Sequence, residues 1–350
     1  MGLEQTSDID LFDLLPDALV SEIFNRVQDA KSLSACSILC KRFGYLVAET
    51  HNVSLEITRR PVSLNEKQRS KTLLTRFIFK PIHSILHRMF SRKSKTCSTC
   101  CDEDEEEDMF KMPNELLNNF KEINCLSVKL PGHDGDISSE NGSGAMLKWK
   151  AEFGKELESC VILGATGFHK PDISNSNSNS NSNVQGSVLG NLTNKQLKKR
   201  VVWTISCLIA SSARHHMLKR IISTNETIRE VKISDGSKQG TIEMNEKQVM
   251  ELKEELRVPM DTIYDGVMER TKVPAVTIKM WYMPVLELPE SGGVMKGATL
   301  AVIRPTTVSR VDKDGDVSLA VGAFGEDFTM EAVRKLIDMK KSYTLEMNSF

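Results

Sequence analysis

The residues best suited to chemistry in this 350-residue chain stand in short, separate groups. Cys97-Ser-Thr-Cys-Cys101 contains one CxxC pair, with His83 and His87 upstream. Thiolates and imidazoles are the usual zinc ligands, and four can be counted. Their order and spacing match no zinc module, so no metal site is expected. Asp312-Lys-Asp-Gly-Asp316 has the carboxylate spacing of a calcium loop. Such a loop needs Gly at its sixth position and a bidentate Glu at its twelfth. Val317 and Ala323 stand there, so a solvated turn is expected instead. Gly164-Ala-Thr-Gly167 lacks the Lys and Ser/Thr that complete a phosphate loop. His215-His216 falls in a long helical stretch, where one ring is expected in the core and the other toward water. No Cys/His or Ser/His/Asp arrangement emerges, so neither catalytic residues nor a cofactor site are expected.

Two segments could meet a membrane or nucleic acid. Met1-Gly2-Leu-Glu-Gln-Thr6 fits the loose N-myristoylation pattern. Its neighbours Glu4 and Asp8 are acidic, and one acyl chain anchors only marginally. Residues 59–95 hold eleven Lys/Arg and one acid, Glu66. Leu73, Leu74, Phe77, Ile78, Ile82, Ile85, Leu86, Met89 and Phe90 follow helical spacing there, among Arg76, Lys80, Arg88 and Arg92. A basic amphipathic helix suits a membrane surface, and Arg92-Lys-Ser-Lys95 suits a nuclear signal. Pro81 would kink a free helix, and the acidic run Asp102–Asp108 can neutralise the charge. A helix packed on the rest of the chain, with a solvated basic face, is the favoured reading.

Composition narrows the class. Lys+Arg is 46 and Asp+Glu 47, a net charge of -1, which argues against a histone-like nucleic-acid binder. Hydrophobic residues make up 40%, enough for a sizeable core. Eight cysteines in so long a chain are no disulfide scaffold, and the start is acidic rather than secretory. A reducing compartment is expected, cytoplasmic and/or nuclear. The longest uncharged apolar stretch, Val201–Ala213, is shorter than the roughly 20 residues of a membrane span, so it reads as a buried helix.

The elements that must carry any site alternate along the chain. Glu115–Glu122 reads as helical, before a strand at Cys125–Leu130. Leu147–Leu157 reads as helical, before a strand at Ser159–Leu163. A long helix from about Asn194 to Ile222 precedes Glu230–Ser234, and Asn245–Leu256 precedes Ala275–Trp281. Two arrangements fit: stacked β/α units like a degenerate leucine-rich repeat, or an ordinary α/β domain. Pro289-Glu-Ser-Gly-Gly293 between two strand-like runs predicts a hairpin, and Met330–Lys340 a last helix before Tyr343–Met347. Five Ser-Asn pairs at 174–183 cannot bury a core and are expected to be disordered.

Residues 12–49 read as a small helical unit. Pro16 suits a helix start, and Leu19, Ile23 and Val27 fall at i, i+4 and i+8, with Val20 and Phe24 beside them. Asp29 is placed to cap a second helix carrying Leu33, Cys36 and Leu39 or Cys40. An exposed apolar face on so small a unit is a docking surface. Leu15-Pro16, Leu19, Ile23-Phe24, Val27, Leu33, Cys40-Lys-Arg-Phe43 and Leu46 together resemble an F-box, with Ala18 and Phe43 departing from the frequent Glu and Trp.

The remainder is similar to the plant F-box proteins of the auxin up-regulated type and their relatives. The matching stretches are Leu147-Lys-Trp-Lys-Ala-Glu-Phe-Gly154, Cys160-Val-Ile-Leu-Gly-Ala165, Arg200-Val-Val-Trp-Thr-Ile-Ser206, Trp281-Tyr-Met-Pro284, Lys296-Gly-Ala-Thr-Leu300 and Leu345-Glu-Met-Asn-Ser-Phe350. The resemblance implies an α+β fold: an F-box at 10–50, a basic, Cys-rich and acidic linker at 59–108, and an irregular, leucine-rich-repeat-like β/α domain at 110–350 with a disordered loop at 171–191. It implies a non-catalytic adaptor of a Skp-cullin-F-box ubiquitin ligase, linked to auxin response. Leu15, Pro16, Leu19, Ile23, Phe24, Val27, Leu33 and Phe43 would then bind a Skp-type adaptor, and through it a cullin. An unidentified target would dock on the β/α domain. Trp281 and Tyr282 are the candidate anchors, because alternation pairs Trp281 with the water-seeking Lys279. No DNA or RNA partner and no membrane contact is expected on this reading. The alternative is a membrane-surface or nucleic-acid-associated regulator built on 59–95, whose binding would be salt-sensitive.

Overall fold

The computed structural model describes residues 12, 14–57, 115–132, 145–169, 192–257, 270–308, 313–325 and 327–350. The basic segment, the Cys cluster, the acidic run, the Ser-Asn tract and the Met1-Gly2 start lie outside them.

Three short helices open the fold: α1 (Asp17–Val27), α2 (Ala30–Ser37) and α3 (Lys41–Ala48). Strand β1 (Asn52–Glu56) follows at once, and β2 (Cys125–Leu130) pairs with it in parallel. Next come β3 (Met146–Phe153), β4 (Leu157–Ala165) and the short β5 (Gly167–His169). Helix α4 (Asn194–Thr224) leads to β6 (Glu230–Asp235), β7 (Gly240–Met244) and α5 (Glu246–Arg257). The hairpin β8 (Val276–Leu288) and β9 (Gly293–Pro305) precedes α6 (Lys313–Ala323), α7 (Asp327–Ile337) and β10 (Tyr343–Met347).

The ten strands among the described residues join one sheet, in the order β1-β2-β6-β7-β3-β4-β9-β8-β10, with β5 beside β9. The α+β class holds. The β/α part is a single mixed sheet: parallel pairing is confined to β1–β2–β6 and to β3–β7, and the other pairs are antiparallel.

The sheet buries two faces because its central strands are apolar on both sides. In β4, Cys160 and Ile162 join one core cluster, while Val161, Leu163 and Ala165 join the other. The first cluster lies under α4 and α5 and runs on into α1–α3, through Val20, Phe24, Leu33, Leu46 and Val47. The second lies under α6 and α7, through Ala320, Val333 and Leu336. Helix α4 is the expected buried one. It starts with a capping box, Thr193 accepting from the Gln196 N–H and Gln196 from the Thr193 N–H.

Three local expectations are corrected. Leu147–Leu157 is strand β3 and its turn rather than a helix, because Leu147, Trp149, Ala151 and Phe153 alternate with Lys148, Lys150 and Glu152, a period of two. Only residues 115–117 of the next expected helix are helical. From Lys313 on, the Asp-rich stretch is the start of helix α6 rather than a turn, and Asp316 is buried rather than solvated, bonded to Lys279 at 3.0 Å and Arg304 at 3.3 Å. The histidine pair divides as expected: His215 is buried and His216 partly exposed.

Candidate functional site

Helix α1 sorts its apolar residues onto two faces, since residues four apart share a face. Val20 and Phe24 point inward and are 1% and 5% exposed. Leu19, Ile23 and Val27 point outward and are 52%, 41% and 44% exposed. Among the described residues this apolar stripe is left half-exposed, which suits it to a partner.

The neighbouring elements hold α1 in place. Asp29 caps α2, accepting from the Ser32 N–H at 2.8 Å and the Ser32 hydroxyl at 2.6 Å. The hydroxyl bond is the first cause of its lowered pKa. Cys40 caps α3 through its Sγ, 3.4 Å from the Phe43 nitrogen. From α3, Arg42 reaches back across the start of α1. It donates to Asp17 Oδ1 at 2.7 Å, to the Phe12 carbonyl at 2.9 Å and to the Leu15 carbonyl. Phe43 meets Phe24 edge to face, the ring centres 5.4 Å apart at 88°.

Of the expected adaptor-binding residues, Pro16, Leu19, Ile23 and Val27 are exposed, and Leu15 and Phe43 are half-buried against the core. Phe24 and Leu33 are interior and support the face from below. Helix α2 ends at Ser37, so Leu39 leaves the helical face expected for it. Ile38 and Leu39 turn outward, 83% and 70% exposed. Two adjacent apolar residues just before Cys40 were the available signal for a second exposed patch.

Comparison with known proteins follows the same residues. F-box protein At4g18380 of Arabidopsis thaliana is 37% identical over 378 aligned positions, covering 99% of this chain and 96% of that protein. F-box proteins AUF2 and AUF1 of the same plant are each 34% identical, covering 98% of this chain and their full length. This chain belongs to the F-box proteins. It falls in the plant group that includes AUF1 and AUF2, the auxin up-regulated F-box type and its relatives. No family model matches, and no solved structure matches.

In this F-box protein the expected target anchors are core. Trp281 and Tyr282 are 2% and 6% exposed. Trp281 lies in the second cluster, with Leu163, Leu300 and Leu336. Tyr282 is on the other side, its ring 4.3 Å from the Arg200 guanidinium and its hydroxyl accepting from Gln196 Nε2 at 3.3 Å. Arg200 itself is buried on neutral acceptors: Thr299 Oγ1 and the Gln196 carbonyl at 2.8 Å, and the Gly297 carbonyl at 3.2 Å. Burial lowers its pKa. Alternation alone misplaced Trp281 because helices cover both faces at β8.

Among the described residues no cluster of three or more His, Cys, Asp or Glu is placed to hold a metal ion. No described helix is long and apolar enough to cross a membrane.

Proposed function

We propose that this F-box protein is the substrate-recognition subunit of a Skp-cullin-F-box ubiquitin ligase. The stripe Leu19, Ile23 and Val27, with Pro16 at its head, docks on a Skp-type adaptor, and the adaptor joins it to a cullin. The sheet domain holds a target protein. The chain performs no bond chemistry of its own: holding the target near a ubiquitin-charged conjugating enzyme raises the local concentration of its lysines. The setting is cytoplasmic and/or nuclear.

The observation that carries this reading is the outward stripe on α1 in a member of the F-box family. Burying an apolar side chain fully is worth about 1.5–3 kcal/mol, so covering the exposed half of these three contributes roughly 2–4 kcal/mol to a contact. The test is co-purification of a Skp-type adaptor and a cullin with the full chain and with the Leu19→Glu, Ile23→Asp variant. Loss of both partners with an unchanged melting temperature supports the proposal, and retained partners overturn it. Deleting the F-box is the poorer control, since Val20, Phe24 and Leu33 belong to the common core. The alternative regulator reading rests on residues 59–95, outside the described ones.

A further inference from the structure

A file of shared hydrogen-bond acceptors crosses the heads of the three parallel strands, and it begins on α1. Asn25 Oδ1 accepts from the His51 N–H at 2.9 Å and the Asn52 N–H at 3.4 Å. The His51 carbonyl accepts from Asn124 and Cys125 at 2.9 and 3.0 Å. The Asn124 carbonyl accepts from Arg229 and Glu230 at 2.8 and 2.9 Å. Each oxygen serves two successive amides, at the start of β1, then β2, then β6.

The first acceptor differs in kind. The second and third are backbone carbonyls just ahead of a strand, whereas the first is a helix side chain. Asn25 stands where the peptide of one more strand would stand. Its own Nδ2 donates to the Ser21 carbonyl at 3.0 Å, which turns the oxygen toward β1. Three residues on, Gln28 adopts a left-handed conformation with φ 58, and its carbonyl accepts from the Ser54 N–H at 2.7 Å. Together these close the edge of β1, which would otherwise expose unpaired donors.

Asn25 also lies two residues from both Ile23 and Val27 in the outward stripe. We infer that Asn25 is a positioning residue: it fixes the direction of the docking helix relative to the sheet, and so the path between the bound adaptor and whatever the sheet holds. This rests on the proposed ligase role. Asn25 and Asn52 are half-buried and His51 is exposed, so water can replace the lost acceptor in a variant. What a variant loses is orientation, to which transfer by proximity is sensitive.

The test uses the full chain reconstituted with a Skp-type adaptor, cullin, RING subunit and ubiquitin-charged conjugating enzyme. The readouts are adaptor affinity and the map of ubiquitin on this chain's own lysines. Asn25→Leu is expected to keep adaptor affinity within about twofold, because its bonds are separate from the docking contacts. Transfer to the favoured lysines should fall roughly tenfold and spread to others. Asn25→Asp loses the bond to the Ser21 carbonyl but keeps an oxygen toward both amides, and should restore at least part of the map. An unchanged map in Asn25→Leu, or no rescue by Asn25→Asp, overturns the inference. So does a loss of transfer that merely follows a loss of adaptor affinity. Hydrogen exchange on the unbound wild-type chain gives an independent arm that needs neither ligase nor variant. The His51 and Asn52 amides should be protected like those of Asn124 and Glu230, and free exchange at both overturns the inference. Failure of the wild-type chain to bind any adaptor, with those amides protected, counts against the ligase role alone.

Discussion

Lys279 and Trp281 lie two residues apart on one face of β8, with the Lys279 ammonium 5.3 Å from the centre of the indole. The lysine is a natural sign of a wet face, yet the same ammonium is 3.0 Å from Asp316 Oδ2 on α6. The ion pair and the cation–π contact let the lysine lie beneath a helix. The indole beside it is then sealed into the second cluster.

Trp281→Ala should therefore act on stability rather than on target choice. Removing a buried indole typically costs about 3–5 kcal/mol. Denaturant titration of the full chain reads this as a lower midpoint. A midpoint equal to wild type would place the indole at the surface.

Asp316→Asn should also destabilise. The carboxylate answers both Lys279 and Arg304, and without it the two cations face each other beneath α6. Both cations are partly exposed, so a cost of about 1–3 kcal/mol is expected rather than that of a fully buried pair. Restoring stability by adding Lys279→Met would confirm that the uncompensated charge is the cause. No recovery in the double variant would point to lost packing of α6 instead.

The two faces of α1 should separate binding from folding. Phe24→Ala empties a buried site against Phe43 and should cost about 3 kcal/mol or more. Ile23→Asp, one residue away on the outward face, should change stability by only about 0.5 kcal/mol while abolishing adaptor capture. Thermal melts and pull-downs run side by side check both. Equal melting points for the two variants would contradict the assignment of faces.

Stability should fall in mild acid because of His215. The ring is buried and stacked on Phe153, with centres 4.4 Å apart. Its Nε2 donates to the Gly154 carbonyl at 3.1 Å, and its Nδ1 lies 2.9 Å from the Thr271 hydroxyl, the pattern of a neutral imidazole. Burial pulls its pKa from 6.5 down to about 3. Below pH 6.5 the unfolded chain takes up a proton that the folded chain refuses. The contribution is full above that pH and declines toward pH 3, with roughly 2 kcal/mol lost by about pH 5. Unfolding free energies across this range should show the decline, and His215→Gln should flatten it. An equally steep acid limb in that variant would assign the proton to another group.

Local pattern carried much of this protein. The spacing of Leu19, Ile23 and Val27, with Val20 and Phe24 beside them, marked α1 as an apolar helix, Asp29 marked the cap of α2, and Cys125–Leu130 and Glu230–Ser234 marked strands β2 and β6. These features depend on neighbours within a few residues, and periodicity reports such neighbours directly. The turn at 289–292 was legible for the same reason, since Gly292 adopts φ 69 there.

Only the tertiary structure decided which of two apolar stripes on α1 the protein itself consumes. Val20 and Phe24 join the core with β1, whereas Leu19 and Ile23 stay 52% and 41% exposed among the described residues, and helical spacing is the same for both. It also decided that β3 sits between β7 and β4, that Asp316 folds over Lys279, and that Trp281 is core. Each depends on a partner far away in sequence, such as Gly240 for Trp149 or Asp316 for Lys279, separations no window of residues can span. The link from Asn25 to His51 is of that kind. A helix asparagine reads as an ordinary polar position until the fold sets the head of a strand against it.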